Sequence, residues 1–377
     1  MTFFSDDSVS RSAGNTPVDH EAGPSAAERR SRFGWVLVGI ALVITLALAF
    51  APSSYVIETP GPVYDTLGTA GEDEIPLITI SDAPVYETSG SLDLLTVSVI
   101  GAPDGGATLF EVATSWFDPS RAVVPLEAVY APGQTTEQQR EDSELQMENS
   151  QLEAVAAALT QLDYDFPRTV SVVGLLEDSA SEGVLEEGDV IVSVNGAAIN
   201  GLTDLREKVD ASGAGEPAEI GVERDGEART VEVTPQDQDG AVVLGVGVQV
   251  EYEFPIDVDI ELENVGGPSA GMMFALGIFD KLTPGELTGG AVVAGTGTID
   301  GEGEVGAIGG IRQKLYGAER SGATLFLAPQ SNCTEVVGHV PAGLDVVSVS
   351  TLEDAVSALQ AVAAGADPAS LPGCEAD

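Results

Sequence analysis

Positive charge is scarce in this chain: 377 residues carry 15 Lys and Arg against 61 Asp and Glu, a formal net charge of −46. Such a surface repels phosphate backbones and anionic headgroups, so nucleic acid is excluded as a partner. Histidine is nearly absent, with only His20 and His339. A Ser-His-Asp triad would therefore have to use His339. No HExxH helix and no multi-cysteine pattern occurs, so no metal is expected. No GxxxxGK[ST] loop occurs, and no cofactor is expected. The two cysteines, Cys333 and Cys374, are either two free thiols or one disulfide. Pairing them would tie the C-terminal tail to the body of the protein and contribute about 3–4 kcal/mol in the chain-entropy treatment.

Charge of either sign is missing from Phe33–Ala51, a run of 19 residues rich in Leu, Val, Ile and Ala. Its length predicts a transmembrane helix, and Arg29, Arg30 and Arg32 on its N-terminal side predict the orientation. The expectation is a single-pass protein of the cell membrane. Residues 1–32 would be a disordered cytoplasmic tail and everything after the helix extracytoplasmic. Ala49-Phe50-Ala51 also fits a cleavage site, which would release a secreted protein instead.

Past this run, alternation and turn signals divide the chain. Leu185–Gly196 reads as a turn, an apolar strand and an Asn-Gly turn, followed by a helix near Thr203–Ala211 and strands at Ala218–Arg224 and Thr230–Thr234. This stretch looks like a bacterial PDZ domain over 167–235. Such modules add extended peptides to a sheet edge, which implies recruitment of protein or peptide substrates, unless the module is a spacer with a filled groove. Around it, strands are expected at 76–80, 94–100, 241–252, 255–261, 291–299, 324–327 and 345–349. Helices are expected at 110–116, 136–162 and 352–363. A mixed α/β body with an inserted second module results.

Two motifs carry chemistry. Gly266-Gly267-Pro268-Ser269-Ala270-Gly271 makes a tight turn that delivers Ser269 to the start of a helix over Ala270–Lys281. The N–H groups of Ser269 and Ala270 and the positive helix end suit a developing oxyanion. A serine nucleophile needs a base, and the chain has only three lysines, Lys208, Lys281 and Lys314. Lys281 ends the helix that Ser269 begins, roughly 18 Å away, and Lys208 lies in the other module. Lys314 interrupts the apolar stripe of Ile311, Leu315 and Ala318 on a helix over Gly310–Ser321, so burial can drive off its proton. Lowering a lysine to about 7 requires roughly 5 kcal/mol, against the chain's acidity.

Asn264–Gly271, Ala294-Gly295-Thr296-Gly297-Thr298-Ile299 and Val305–Lys314 together resemble the proteolytic domain of Lon. The similarity is closest to the membrane-anchored, PDZ-containing Lon-like proteases of Gram-positive bacteria. It extends to Glu144–Ser150 and covers most of 33–360. The resemblance implies a Lon-type α/β (α+β) proteolytic domain in two parts, 52–166 and 241–364, with the PDZ domain inserted, one transmembrane helix at 33–51 and a C-terminal tail at 365–377. It also implies catalytic Ser269 and Lys314, with Thr296 supporting the lysine, an ATP-independent serine endopeptidase and a hexameric ring. One departure stands out: Lon itself often has an acidic residue where this chain has Gly266. A PDZ-based scaffold or assembly factor with a latent protease domain is the other function class these residues admit.

Overall fold

The computed structural model describes residues 26–70, 75–103, 105–131, 133–176, 179–238, 240–262 and 265–375. The disordered tail expected at 1–32 lies outside the described residues as far as residue 25.

Ala26–Ala49 is helical, but the single-pass membrane assignment does not hold. Among the described residues, no helix is long and apolar enough to cross a membrane. The helix stops at Ala49, and its charge-free part begins only at Phe33. At ~1.5 Å per residue that part spans about 25 Å, short of a ~30 Å hydrocarbon layer.

The body is built on a six-stranded sheet in the order Asp345–Val349, Leu325–Pro329, Val292–Gly295, Ser91–Ile100, Tyr55–Asp65, Ala122–Pro125. The first four run parallel and the last two pair antiparallel. Alternation along these strands sorts their side chains onto two faces. Leu92, Leu94, Val293, Leu325 and Leu327 point to one face and meet the helix Gly271–Leu282, whose first ten residues are all buried. Leu95, Ala294, Phe326 and Ala328 point to the other and meet Ile311, Leu315 and Ala318 of the helix Ile311–Ser321. The serine helix and the lysine helix thus sit on opposite faces of one sheet, and their N-terminal ends converge just past the C-terminal end of strand Val292–Gly295. A long helix, Thr136–Gln161, starts at a Thr135–Gln138 capping box and packs on the serine helix.

A second sheet contains Glu227–Val233, Ala218–Arg224, Val190–Val194, Arg168–Leu175 and Val246–Tyr252 in that order. Val170, Ile191, Ile220 and Val222 form its core with Leu205 and Val209 of the helix Leu202–Ser212. Asp189 in this core is 0% exposed. The Arg224 guanidinium grips it through two bonds of 2.6 and 2.7 Å and holds its carboxyl below the usual carboxylate range.

Two strand expectations change, and one strand was not expected at all. The single strand over 241–252 breaks at Gly245, whose φ of +72° turns the chain. Its second half pairs with Arg168–Leu175 rather than with the body. The strand over 291–299 ends at Gly295, and Thr298–Ile299 forms a separate hairpin with Val305–Gly306. Tyr55–Asp65, which reads poorly as a strand because of Pro60-Gly61-Pro62, is the longest one; its register shifts between Pro60 and Val63, where the prolines sit. At the C-terminus, Pro372 O accepts from Ser348 N at 2.8 Å along the outer edge of the body sheet. Cys374 is disulfide-bonded to Cys333.

Candidate active site

The serine turn is held by the long helix beside it. Gly267 adopts φ +85° and its N–H donates to Ser143 O at 2.8 Å, while the Ser150 hydroxyl donates to Pro268 O at 3.0 Å. A Cβ at Gly266 would lie 2.6 Å from Ser143 Cβ, so the acidic residue common here in Lon has no room. Ala270 is the helix N-cap, and the helix proper begins at Gly271. Neither the Ser269 nor the Ala270 N–H donates to another described residue. Both groups remain available for an oxyanion.

The lysine approaches from the other face of the sheet. Lys314 lies in the first turn of its helix and is 2% exposed. Its Nζ sits 2.7 Å from Ser269 Oγ and 2.8 Å from Thr296 Oγ1. Thr296, 1% exposed, occupies the position just past the end of strand Val292–Gly295. Its hydroxyl donates to Ser269 O at 2.9 Å, so its oxygen lone pairs face the lysine. Gly297 N also donates to Ser269 O, at 3.0 Å. Burial alone lowers the Lys314 amine from 10.5 to about 7. A charged ammonium here would lose its hydration with no carboxylate to replace it.

The other lysines are occupied elsewhere. Lys281 donates to Ile78 O at 3.0 Å and Lys208 pairs with Asp204 on its own helix. His339 sits by Val337 O at 3.2 Å, and it does not line the cleft at Ser269. That cleft, of about 460 Å³, is walled by Pro62, Tyr64, Leu94–Ser98 and Met147. Lys314 is the one charged side chain among its lining residues, and Tyr64 the one other titratable group.

The structure places Ser269, Ala270, Thr296 and Lys314 together; Ser143, Ser150 and the 94–98 wall carry no singled-out role in the sequence. Ser150 closes the Glu144–Ser150 stretch of the resemblance, which was its only signal. The wall residues left none, because an apolar strand reads the same whether it faces a core or a cleft.

Residues 263–361 match the model of the Lon protease (S16) C-terminal proteolytic domain, and residues 146–234 match that of the PDZ domain. The segment is 38% identical over 91 residues to Lon protease 2 of Herpetosiphon aurantiacus, covering 23% of this chain and 11% of that protein. It is 39% identical over 94 residues to the Lon protease of Azospirillum brasilense, again 23% and 11%. Against Lon protease 2 of Bacillus subtilis it is 32% identical over 90 residues, 24% of this chain and 16% of that protein. The chain thus spans only a small fraction of these relatives' length. A crystal structure of the PDZ domain of an SdrC-like protein from Listeria monocytogenes aligns over 21% of this chain and 85% of its own, at 18% identity and a TM-score of 0.20. Residues 263–361 are thus similar to a Lon proteolytic domain and residues 146–234 to a PDZ domain.

Proposed function

We propose that the protein is an ATP-independent endopeptidase in which Ser269 is the nucleophile and Lys314 its base, acting on polypeptides recruited by the PDZ domain. The observation that carries this reading is the Lys314 amine, buried without a counter-charge and 2.7 Å from the Ser269 hydroxyl. A neutral amine at that position accepts the hydroxyl proton and donates to Thr296 Oγ1; an ammonium could only donate. With the hydroxyl so polarised, Oγ attacks the scissile carbonyl and its proton passes to Nζ. The tetrahedral oxyanion then meets the free N–H groups of Ser269 and Ala270. Collapse breaks the C–N bond, the lysine returns the proton to the leaving amine, and an acyl-enzyme remains. A water that gives its proton to the same amine then releases the acid. Thr296 keeps Nζ aimed at Oγ throughout.

The PDZ part of the proposal rests on a physical connection. The Arg168 guanidinium on the second sheet lies 3.3 Å from Glu302, at the tip of the hairpin that follows Thr296. Tyr252, on the strand leaving that sheet, donates to Glu153 of the long helix at 2.8 Å. A peptide held by the second module would therefore be presented to a body already tied to it.

A fluorophosphonate labelling test, run without nucleotide on the full chain beside Ser269→Ala and Lys314→Ala, decides the matter. Labelling that vanishes in both variants is expected. Full retention in Lys314→Ala would sink the assignment of the base. If the folded wild type stayed unlabelled from about pH 6 to 10, even with peptide ligands added, the scaffold reading would take its place.

A further inference from the structure

The lysine helix begins at a segment with little structure of its own. Ala307-Ile308-Gly309-Gly310 links the hairpin strand Val305–Gly306 to Ile311 and belongs to neither strand nor helix. Gly310 adopts φ +70°, and its carbonyl accepts the Lys314 N–H at 3.2 Å, the bond that sets the first turn. On the cleft side the segment rests on Val97: a Cβ at Gly310 would come within 2.7 Å of Val97 Cγ2. Gly309 itself lines the cleft. Any slack in this segment would be passed to Nζ, which must stay within hydrogen-bond reach of two hydroxyls at once.

What removes the slack is a side chain from elsewhere. Asn332 is 3% exposed, and its carboxamide spans the Ile308 peptide in both directions. Asn332 Oδ1 accepts from Ile308 N at 2.9 Å and Nδ2 donates to Ile308 O at 2.9 Å. A single amide thus does for Ile308 what a neighbouring strand would otherwise do. Asn332 is itself rigidly founded. It follows the buried strand Leu325–Pro329, precedes the short helix Cys333–Val336, and its neighbour Cys333 is cross-linked to Cys374. Ile308 shares an apolar cluster with Ile311 and Leu315, so the segment is packed together with the lysine helix.

We propose that Asn332 is a positioning residue for the Ser269–Lys314 pair: by clamping Ile308 it fixes the start of the lysine helix and so holds Lys314 Nζ between Ser269 Oγ and Thr296 Oγ1. The inference rests on the serine–lysine reading above. Asn332 touches no reacting atom. It acts by keeping the amine dry and aimed, as supporting shells do for functional groups generally. Without it, the buried Ile308 N–H and C=O lose their partners and draw in water or shift. Either response loosens the first helical turn and rehydrates Lys314.

A merely structural strut would lower stability and nothing more, so the test reads the lysine directly. With only three lysines in the chain, a full-length sample labelled with 13C at lysine Cε gives three resolvable titrations. Asn332→Ala is compared with Val336→Ala, which trims the same apolar cluster but leaves both Asn332–Ile308 bonds in place. Asn332→Ala is expected to slow Ser269-dependent fluorophosphonate labelling at least 10-fold and to move the Lys314 midpoint upward from about 7 by a pH unit or more. Val336→Ala should do neither at matched loss of thermal stability. Asn332→Asp keeps the acceptor for Ile308 N–H but loses the donor to Ile308 O, and should fall between. If Asn332→Ala does not fold, Asn332→Asp is judged by the same two readouts. A wild-type labelling rate and midpoint in the folded Asn332 variant would overturn the proposal. A wild-type Lys314 midpoint at the ordinary lysine value, or labelling that survives Ser269→Ala, would instead remove the serine–lysine reading, and the positioning role with it.

Discussion

Replacing Lys314 by methionine should abolish chemistry at Ser269 and yet make the fold more stable in mild acid. The wild-type displacement from 10.5 to about 7 is worth about 5 kcal/mol, at roughly 1.4 kcal/mol per pH unit. This is the cost of holding an ammonium away from water. Methionine has similar length and no charge, so it removes that cost. It also forfeits the bonds to Ser269 and Thr296, worth about 1 kcal/mol each. A net gain of about 3 kcal/mol follows wherever the lysine is protonated in both states. The sign with pH is fixed by linkage. Below about 7, folded and unfolded chains both carry the proton and the cost is paid in full. Above it the folded chain alone has released the proton, so wild-type stability rises with pH until about 10.5. The advantage of Lys314→Met should therefore narrow by about 1.4 kcal/mol per pH unit above 7 and close near pH 9. Scanning calorimetry of the full chain at pH 6, 7, 8 and 9 would follow this. At pH 6 the transition containing the body sheet should rise by about 6–12 °C. A methionine variant no more stable at pH 6, or a gap that stays constant from pH 6 to 9, would refute the claim that Lys314 is a desolvated amine.

Other outcomes follow from the same geometry. Fluorophosphonate labelling by the wild type should increase with pH through about 7, as the amine becomes neutral, and then level off; a profile flat from about pH 6 to 9 would separate Lys314 from the chemistry. Gly266→Asp, which restores the acid found in Lon, should lower labelling at least several-fold, because its Cβ is forced against Ser143 at a cost of about 1–3 kcal/mol; wild-type rates would show that the turn yields freely. Arg224→Ala strands the fully buried Asp189 carboxylate, so the second sheet should melt several degrees earlier while labelling at Ser269 persists. Because Arg224 lowers the Asp189 pKa, that pairing stabilises the fold above the ordinary value of 3.8 and is lost as pH falls through the lowered one. The variant's acid unfolding should lose that component, and calorimetry at pH 3 and 6 would detect the change.

Much of the candidate site was legible in the sequence. The Gly266–Gly271 turn is local, because glycine conformations and the helix that follows need only neighbouring residues. Lys314 was legible by scarcity, since a chain with three lysines leaves little choice of base. Its apolar stripe also announced burial, and burial is what shifts the amine. Thr296 came only through resemblance; no local pattern separates it from any other threonine after a strand. The membrane expectation failed on the length of the helix, which ends at Ala49 and leaves a charge-free part too short to span, and composition does not report that end.

Other features belonged to the fold alone. Pro60-Gly61-Pro62 argues against a strand by local preference, yet strands on both sides capture Tyr55–Asp65 and absorb the prolines at a register shift. Val246–Tyr252 has the alternation of a strand, but only pairing with Arg168–Leu175 assigns it to the second sheet. Asn332 gave no sign at all, because its two bonds reach 24 residues back along the chain. Local sequence thus determined the candidate reactive groups, whose chemistry depends on side-chain type and nearby backbone. Tertiary structure decided their distances, their dryness and their supports, because these come from contacts between segments that are remote along the chain.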